Sequence, residues 1–75
     1  MLELFGSAAC RYTDELRDDL EWDGRDFVEH DVENDADALT RMLALTGGQR
    51  TVPVLVEDDR VVQIGVGGRG CVVSG

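Results

Sequence analysis

Phe5-Gly6-Ser7-Ala8-Ala9-Cys10-Arg11-Tyr12 is the stretch on which the reading of this 75-residue chain turns. A short apolar strand gives way there to a helix, with a cysteine at the joint. Leu2 and Leu4 alternate with Glu3 and lead into Phe5, while Gly6 and Ser7 end the strand. From Arg11 the pattern becomes helical, so Cys10 is expected at the helix N-terminus. The first amide groups of a helix lack intrahelical partners and carry partial positive charge, which favours a thiolate over a thiol. A free cysteine titrates near pH 8.5, and such settings lower that to roughly 3.5 to 7.5. A depression of two units is worth about 2.7 kcal/mol. The alternative is a cysteine that serves only as a small buried hydrophobe. Asp14 and Glu15 oppose the thiolate and Arg11 is a solvated counter-charge, so both readings stand at this point.

Outward from the joint, Tyr12, Leu16 and Leu20 recur on one face of a helix over 10–22, which Asp23 and Gly24 end. Alternation returns over 26–32 with Phe27, Val28 and Val32, a second strand. Its His30 is read as a partly exposed strand histidine without chemistry, since no serine with a nucleophile signature accompanies it. Asn34-Asp35-Ala36-Asp37 caps a second helix carrying Leu39, Met42, Leu43 and Thr46, and Gly47-Gly48 stops it. Strand, helix, strand, helix in that order predicts a parallel crossover. Val52-Pro53-Val54-Leu55-Val56, an acidic turn and Val61-Val62-Gln63-Ile64 then read as an antiparallel hairpin. Pro53 lacks a backbone donor and belongs at the strand mouth, where backbone groups lie open to an extended peptide. The tail from Gly65 to Gly75 is too glycine-rich for a long helix and reads as a loop with a short ordered end. Its glycines suit either close approach to a ligand or a frayed terminus.

Length allows one domain, 1–75. Sixteen acidic residues against seven basic ones, the basic residues all arginine, give a net charge of -9, which repels phosphate backbones and argues against a nucleic-acid partner. There is no apolar run near 20 residues and no basic, apolar start of a secretory signal, so a soluble cytoplasmic monomer without a membrane partner is expected. Two cysteines in such a chain rarely make a permanent structural disulfide. They lack metal-type spacing and His30 is the only histidine, which argues against zinc and leaves redox use.

With Cys10-Arg11-Tyr12-Thr13 after the first strand, Thr51-Val52-Pro53 before the third and Ile64-Gly65 after the last, the chain resembles the glutaredoxin form of the thioredoxin fold over residues 1 to 66. The resemblance implies an α/β fold with a four-stranded mixed sheet, β-α-β-α-β-β, and a truncated C-terminal helix. It implies that Cys10 is the nucleophile, Tyr12 the aromatic beside it, and Pro53 a cis proline facing it. Thr51 and Val52 would offer backbone to the cysteinyl part of glutathione, Arg50 would meet a glutathione carboxylate, and Gly65 would open the glycine turn. Thr13 replaces the second cysteine of the family motif, so the site has a single thiol whose neighbouring hydroxyl can hydrogen-bond the thiolate. Ser7 stands where a lysine is common, which weakens glutathione recognition. Leu45 to Val56 and the Gly70-Cys71 tail also look like small glutaredoxin-like proteins, many of them selenoproteins, in which selenocysteine takes a place held here by Cys10.

The function so implied is thiol-disulfide exchange on protein or glutathione mixed disulfides, with glutathione a possible co-substrate and no bound cofactor. Cys71 is the only internal thiol that could resolve a mixed disulfide on Cys10; the other reading is an unpaired tail thiol. A non-enzymatic alternative is a carrier that offers Cys10, with glutathione, to an iron-sulfur cluster. The usual Cys-Gly-Phe-Ser is absent from this chain, and Arg11 and Tyr12 would crowd a cluster.

Overall fold

The alternating N-terminal segment forms β1 (Leu2–Gly6), every residue of which is buried. The computed structural model describes residues 1–74. After β1 come α1 (Arg11–Trp22), β2 (Val28–Asp31), α2 (Ala36–Thr46), β3 (Thr51–Val52), β4 (Val54–Glu57), β5 (Arg60–Ile64) and β6 (Cys71–Val72). β1 lies inside a four-stranded sheet of order β2-β1-β4-β5, parallel to β2 and antiparallel to β4. The predicted crossover therefore stands, as does the β4–β5 hairpin. Asp58 and Asp59 form its turn with φ of 51° and 64°, a conformation that aspartate tolerates better than most residues.

Alternation along the strands divides the core between two faces. Leu2, Leu4 and Leu55 pack with Leu16 and Leu20 of α1. Phe5, Val54 and Val56 pack with Ala38, Leu39 and Met42 of α2. Each fully buried side chain of this size contributes about 1.5–3 kcal/mol, which is why so small a sheet can order both helices. Asp35 caps α2 by accepting from the Ala38 amide at 3.1 Å, and Gly47 ends it at φ 73°.

Four expectations need correction. The buried stripe of α1 is Thr13, Leu16 and Leu20, with Tyr12 only half-buried. Thr13 faces Gly6 so closely that a Cβ there would lie 2.2 Å from its Cγ2, room that a large side chain does not have. β2 is shorter than the apolar pattern suggests. The single strand expected from Val52 is split at Pro53, whose missing amide proton interrupts the ladder, so β3 pairs away from the main sheet. Among the described residues the truncated closing helix has no helical residue at all; β6 stands in the tail instead.

One charged group lies inside the α2 layer. Glu3, 6% exposed, accepts from Arg41 Nη2 at 2.7 Å and also binds Arg41 Nη1, while its Oε2 lies 2.9 Å from His30 Nε2. His30 thus has a structural partner, and its ring stacks on Phe5 at 4.6 Å. Hydrogen bonding to Arg41, above all, and then to His30 holds the Glu3 carboxyl at about 2, below an ordinary value of 4.5, against the opposing effect of burial. A lowered folded-state pKa stabilises the fold above the unfolded value, and that contribution disappears as pH falls from about 4.5 towards 2. The gain is on the order of 3 kcal/mol. Glu3→Gln is expected to cost about 2–3 kcal/mol at pH 7, with the gap to wild type closing below pH 3. Urea unfolding over a pH series would show this, and parallel profiles for the two proteins would contradict it.

Candidate functional site

The strand-to-helix joint places Cys10 as the N-cap of α1, with extended backbone at φ -93° and ψ 115°. Its amide donates to the Ser7 carbonyl at 3.1 Å, and its own carbonyl receives the Thr13 amide at 3.1 Å and the Asp14 amide at 3.3 Å. The Cys10 sulfur is thus fixed at the positive end of the helix, the setting that favours a thiolate. Asp14, the acid in the first turn, is bound at 2.7 Å by Arg17, which also grips Glu29, so its opposition is partly neutralised. The Arg11 guanidinium lies over the Tyr12 ring, 5.4 Å from its centre.

Cys10 is 1% exposed, and its Sγ lies 3.9 Å from the Val52 carbonyl oxygen. Val52 and Pro53 are both buried, and the bond between them is cis. Gly65 is joined to the same corner by its amide, which donates to the Pro53 carbonyl at 2.7 Å. Cys10, Val52, Pro53 and Gly65 are therefore brought together. Arg50 immediately precedes β3 and Thr51 opens it, and Tyr12 packs against the same core cluster. Thr13 is fully buried, but its hydroxyl accepts from the Ser7 amide at 3.3 Å and so braces the joint. That bond does not engage the sulfur, as the resemblance had suggested its hydroxyl would.

Opposite Cys10 stands Cys71, with Cα atoms 5.9 Å apart and the sulfurs joined as a disulfide. What brings it there is the glycine-rich tail. Val66 and Arg69 bond each other in both directions, 2.7 Å and 3.0 Å, across Gly67 and Gly68, whose φ values are 59° and 80°. Two positive φ angles in a two-residue turn match strand twist, and glycine adopts them without steric cost. The reversed chain lays β6 antiparallel on β3, with Thr51 opposite Val72 and Val52 opposite Cys71. Val73 continues the pairing, its amide donating to the Arg50 carbonyl at 3.0 Å, and its side chain is buried in the α2 core. The edge expected to be open to an arriving peptide is filled by the chain's own tail. The tail glycines serve close approach, but to the chain's own backbone: a Cβ on Gly70 would lie 2.4 Å from the Val52 oxygen.

Gly65 has the same constraint. It sits at φ 76°, and a Cβ there would lie 2.5 Å from the Arg69 carbonyl oxygen. Gly65→Ala is expected to cost about 2–3 kcal/mol in the oxidised protein, combining backbone strain with a backbone clash. Chemical denaturation would measure it, and a loss below about 0.5 kcal/mol would contradict the packing described.

The sequence reading missed one support. Ser7 is buried, accepts from the Ala9 amide at 3.2 Å and donates to Glu33, tying the Cys10 loop to the end of β2. Nothing local signals this, because the partners are 26 residues apart. Among the described residues no cluster of three or more potential metal ligands is found, and no helix is long and apolar enough to cross a membrane.

The family model described as Glutaredoxin matches residues 2–62. The crystal structure of a point mutant of the thioredoxin-like protein BC3987 superposes with a TM-score of 0.76 at 25% sequence identity. The match covers 84% of this chain and 80% of that one. No curated protein matches.

Proposed function

The chain belongs to the glutaredoxin family, and from that premise we infer that it is a thiol-disulfide oxidoreductase in which Cys10 attacks and Cys71 resolves. In the reduced protein the Cys10 thiolate attacks one sulfur of a substrate disulfide, forming a mixed disulfide and expelling the other half as a thiolate. The Cys71 thiolate then attacks Cys10 Sγ, releases the second substrate thiolate and leaves the Cys10–Cys71 disulfide. Two electrons pass to the substrate. The observation that carries this reading is the meeting of the two sulfurs at the N-terminus of α1, beside Val52 and Pro53.

Glutathione is the proposed co-substrate. Supporting this are the Thr51–Val52 edge, which β6 occupies in the oxidised chain and which can pair with an extended peptide when β6 leaves it, and Arg50 next to it, whose planar fork suits a carboxylate. Tyr12 would flank the bound thiol. The cluster-carrier alternative has less support, since Cys71 already takes the Cys10 sulfur in the oxidised chain.

The test is ultraviolet thiolate absorbance of Cys71→Ser against pH. The Cys10 thiolate is expected to be well developed at pH 7. A signal that rises only near pH 8.5, as for an ordinary thiol, would overturn the assignment of Cys10 as an activated nucleophile.

A further inference from the structure

We propose that the tail is a bound example of the substrate pattern this site selects: the attacked cysteine of a protein disulfide lies in an extended segment, with glycine just before it and a branched apolar residue two places after. The proposal rests on the exchange cycle above and adds to it the side chains by which a substrate strand is chosen.

The oxidised chain already holds one peptide cysteine in disulfide linkage to Cys10, and that cysteine is its own Cys71. Cys71 lies directly opposite Val52 in the antiparallel β3–β6 pair, so the register relates each tail position to the sulfur. Just before the cysteine, a Cβ on Gly70 would lie 2.4 Å from the Val52 carbonyl oxygen and 2.8 Å from Thr51 Cγ2. Gly70 does not adopt a positive φ, so what demands glycine there is space alone. Just after the cysteine, Val72 is 79% exposed and sets no requirement. Two places after it, Val73 is 4% exposed and joins the core cluster of Phe5, Leu39 and Met42, while its amide donates to the Arg50 carbonyl at 3.0 Å. Alternation along a strand puts Cys71 and Val73 on one face, so a cysteine that reaches Cys10 carries its second neighbour to that buried place.

When β6 leaves the edge, a substrate strand that pairs there in the same register meets the same conditions. The Cys10 thiolate attacks the sulfur of that strand's cysteine; a disulfide forms between them, and the other half leaves as a thiolate with the electron pair of the broken bond. For resolution the strand yields the edge to β6, Cys71 attacks Cys10 Sγ from that side, and the substrate thiolate departs on the opposite side. Glutathione meets only the first condition. Its cysteine is acylated through the γ-carboxyl of glutamate, so an unbranched CH2 stands where Gly70 does, but it has no side chain for the place of Val73. Burial of a side chain of that size is worth about tenfold or more in affinity, so a protein strand outcompetes glutathione for the edge.

The test uses reduced, full-length Cys71→Ser and a set of short peptides, each with its cysteine in a mixed disulfide with thionitrobenzoate. Attack by Cys10 on the peptide sulfur releases coloured thionitrobenzoate, the better leaving group, and the reaction stops at the disulfide between peptide and Cys10. Each rate is divided by the rate of the same peptide with free glutathione, which removes intrinsic differences in reactivity. The peptide containing Gly-Cys-Ser-Val is expected to react about tenfold faster than those containing Ala-Cys-Ser-Val or Gly-Cys-Ser-Gly. Changing the serine to glutamine should alter the rate by less than about twofold, as the exposure of Val72 requires. Equal rates at either selected position, or as large an effect at the serine, overturn the proposal. Because only the peptide varies, the comparison does not depend on whether a further variant folds. If no peptide reacts faster with Cys10 than with glutathione at the same pH, the exchange cycle itself fails. Fast attack on all peptides alike rejects the present inference alone.

Discussion

Cys10→Ser is expected to lose disulfide-reducing turnover by at least about a thousandfold, as removal of a nucleophile that no neighbour can replace. A serine hydroxyl is not ionised at pH 7 by the dipole of one helix. Cys71, the remaining thiol, lies on a two-residue strand rather than at a helix N-terminus, so it lacks the setting that activates Cys10. Cys71→Ser should differ in kind. Attack by Cys10 survives, and glutathione from solution can resolve the mixed disulfide, so turnover with excess glutathione should persist at a reduced rate. Turnover on a small mixed disulfide would compare the two variants. Retention of more than about a tenth of wild-type activity in Cys10→Ser would remove Cys10 from the centre of the mechanism.

Loss of the disulfide is expected to have the largest effect on stability. Its cysteines are 61 residues apart, so it closes most of the chain into one loop. Loop-closure entropy for that length corresponds to about 4 kcal/mol. A domain of this size has a total stability on the order of 4–11 kcal/mol, so the bond is a large share of it. Each kcal/mol moves the melting temperature of such a domain by about 4–8 °C, which predicts a fall of about 15–30 °C in Cys71→Ser relative to oxidised wild type. Reduced wild type should resemble the variant. Thermal unfolding of the three proteins measures this. A difference below about 5 °C between oxidised wild type and Cys71→Ser would mean that the covalent tie adds little to a tail already held by its own contacts.

Most of the sheet was legible because its signals are local. Leu2, Leu4 and Phe5 alternate around Glu3, Asp35 caps, Gly47 stops, and the consecutive Val54, Leu55 and Val56 mark a strand buried on both faces. The N-terminal position of Cys10 on α1 followed from the same kind of signal. What escaped depended on partners distant in sequence. Glu3 reads as the polar member of an alternating strand, and nothing near it announces Arg41 from α2 or His30 from β2. Thr13 looked like a candidate neighbour for the thiolate because it stands where the motif of the resembled family has its second cysteine. Its burial against Gly6 is a fact of packing, not of spacing. The tail was the hardest part. Gly67 and Gly68 are a recognisable turn signal, but composition alone does not say whether the strand after the turn folds back or frays. The answer lay in close approaches at Gly65 and Gly70, which only three-dimensional contact with Arg69 and Val52 explains.

Internal resolution is the central claim, and the mass of the intact protein after reaction with one equivalent of a small disulfide tests it most directly. Reduced wild type is expected to become lighter by two hydrogen masses, carry no adduct and release both halves of the disulfide as thiols. Cys71→Ser should instead stop as a mixed disulfide on Cys10 with one thiol released. Wild type that also stops at a stable mixed disulfide on Cys10 would contradict the account, because Cys71 would then not be a resolving thiol.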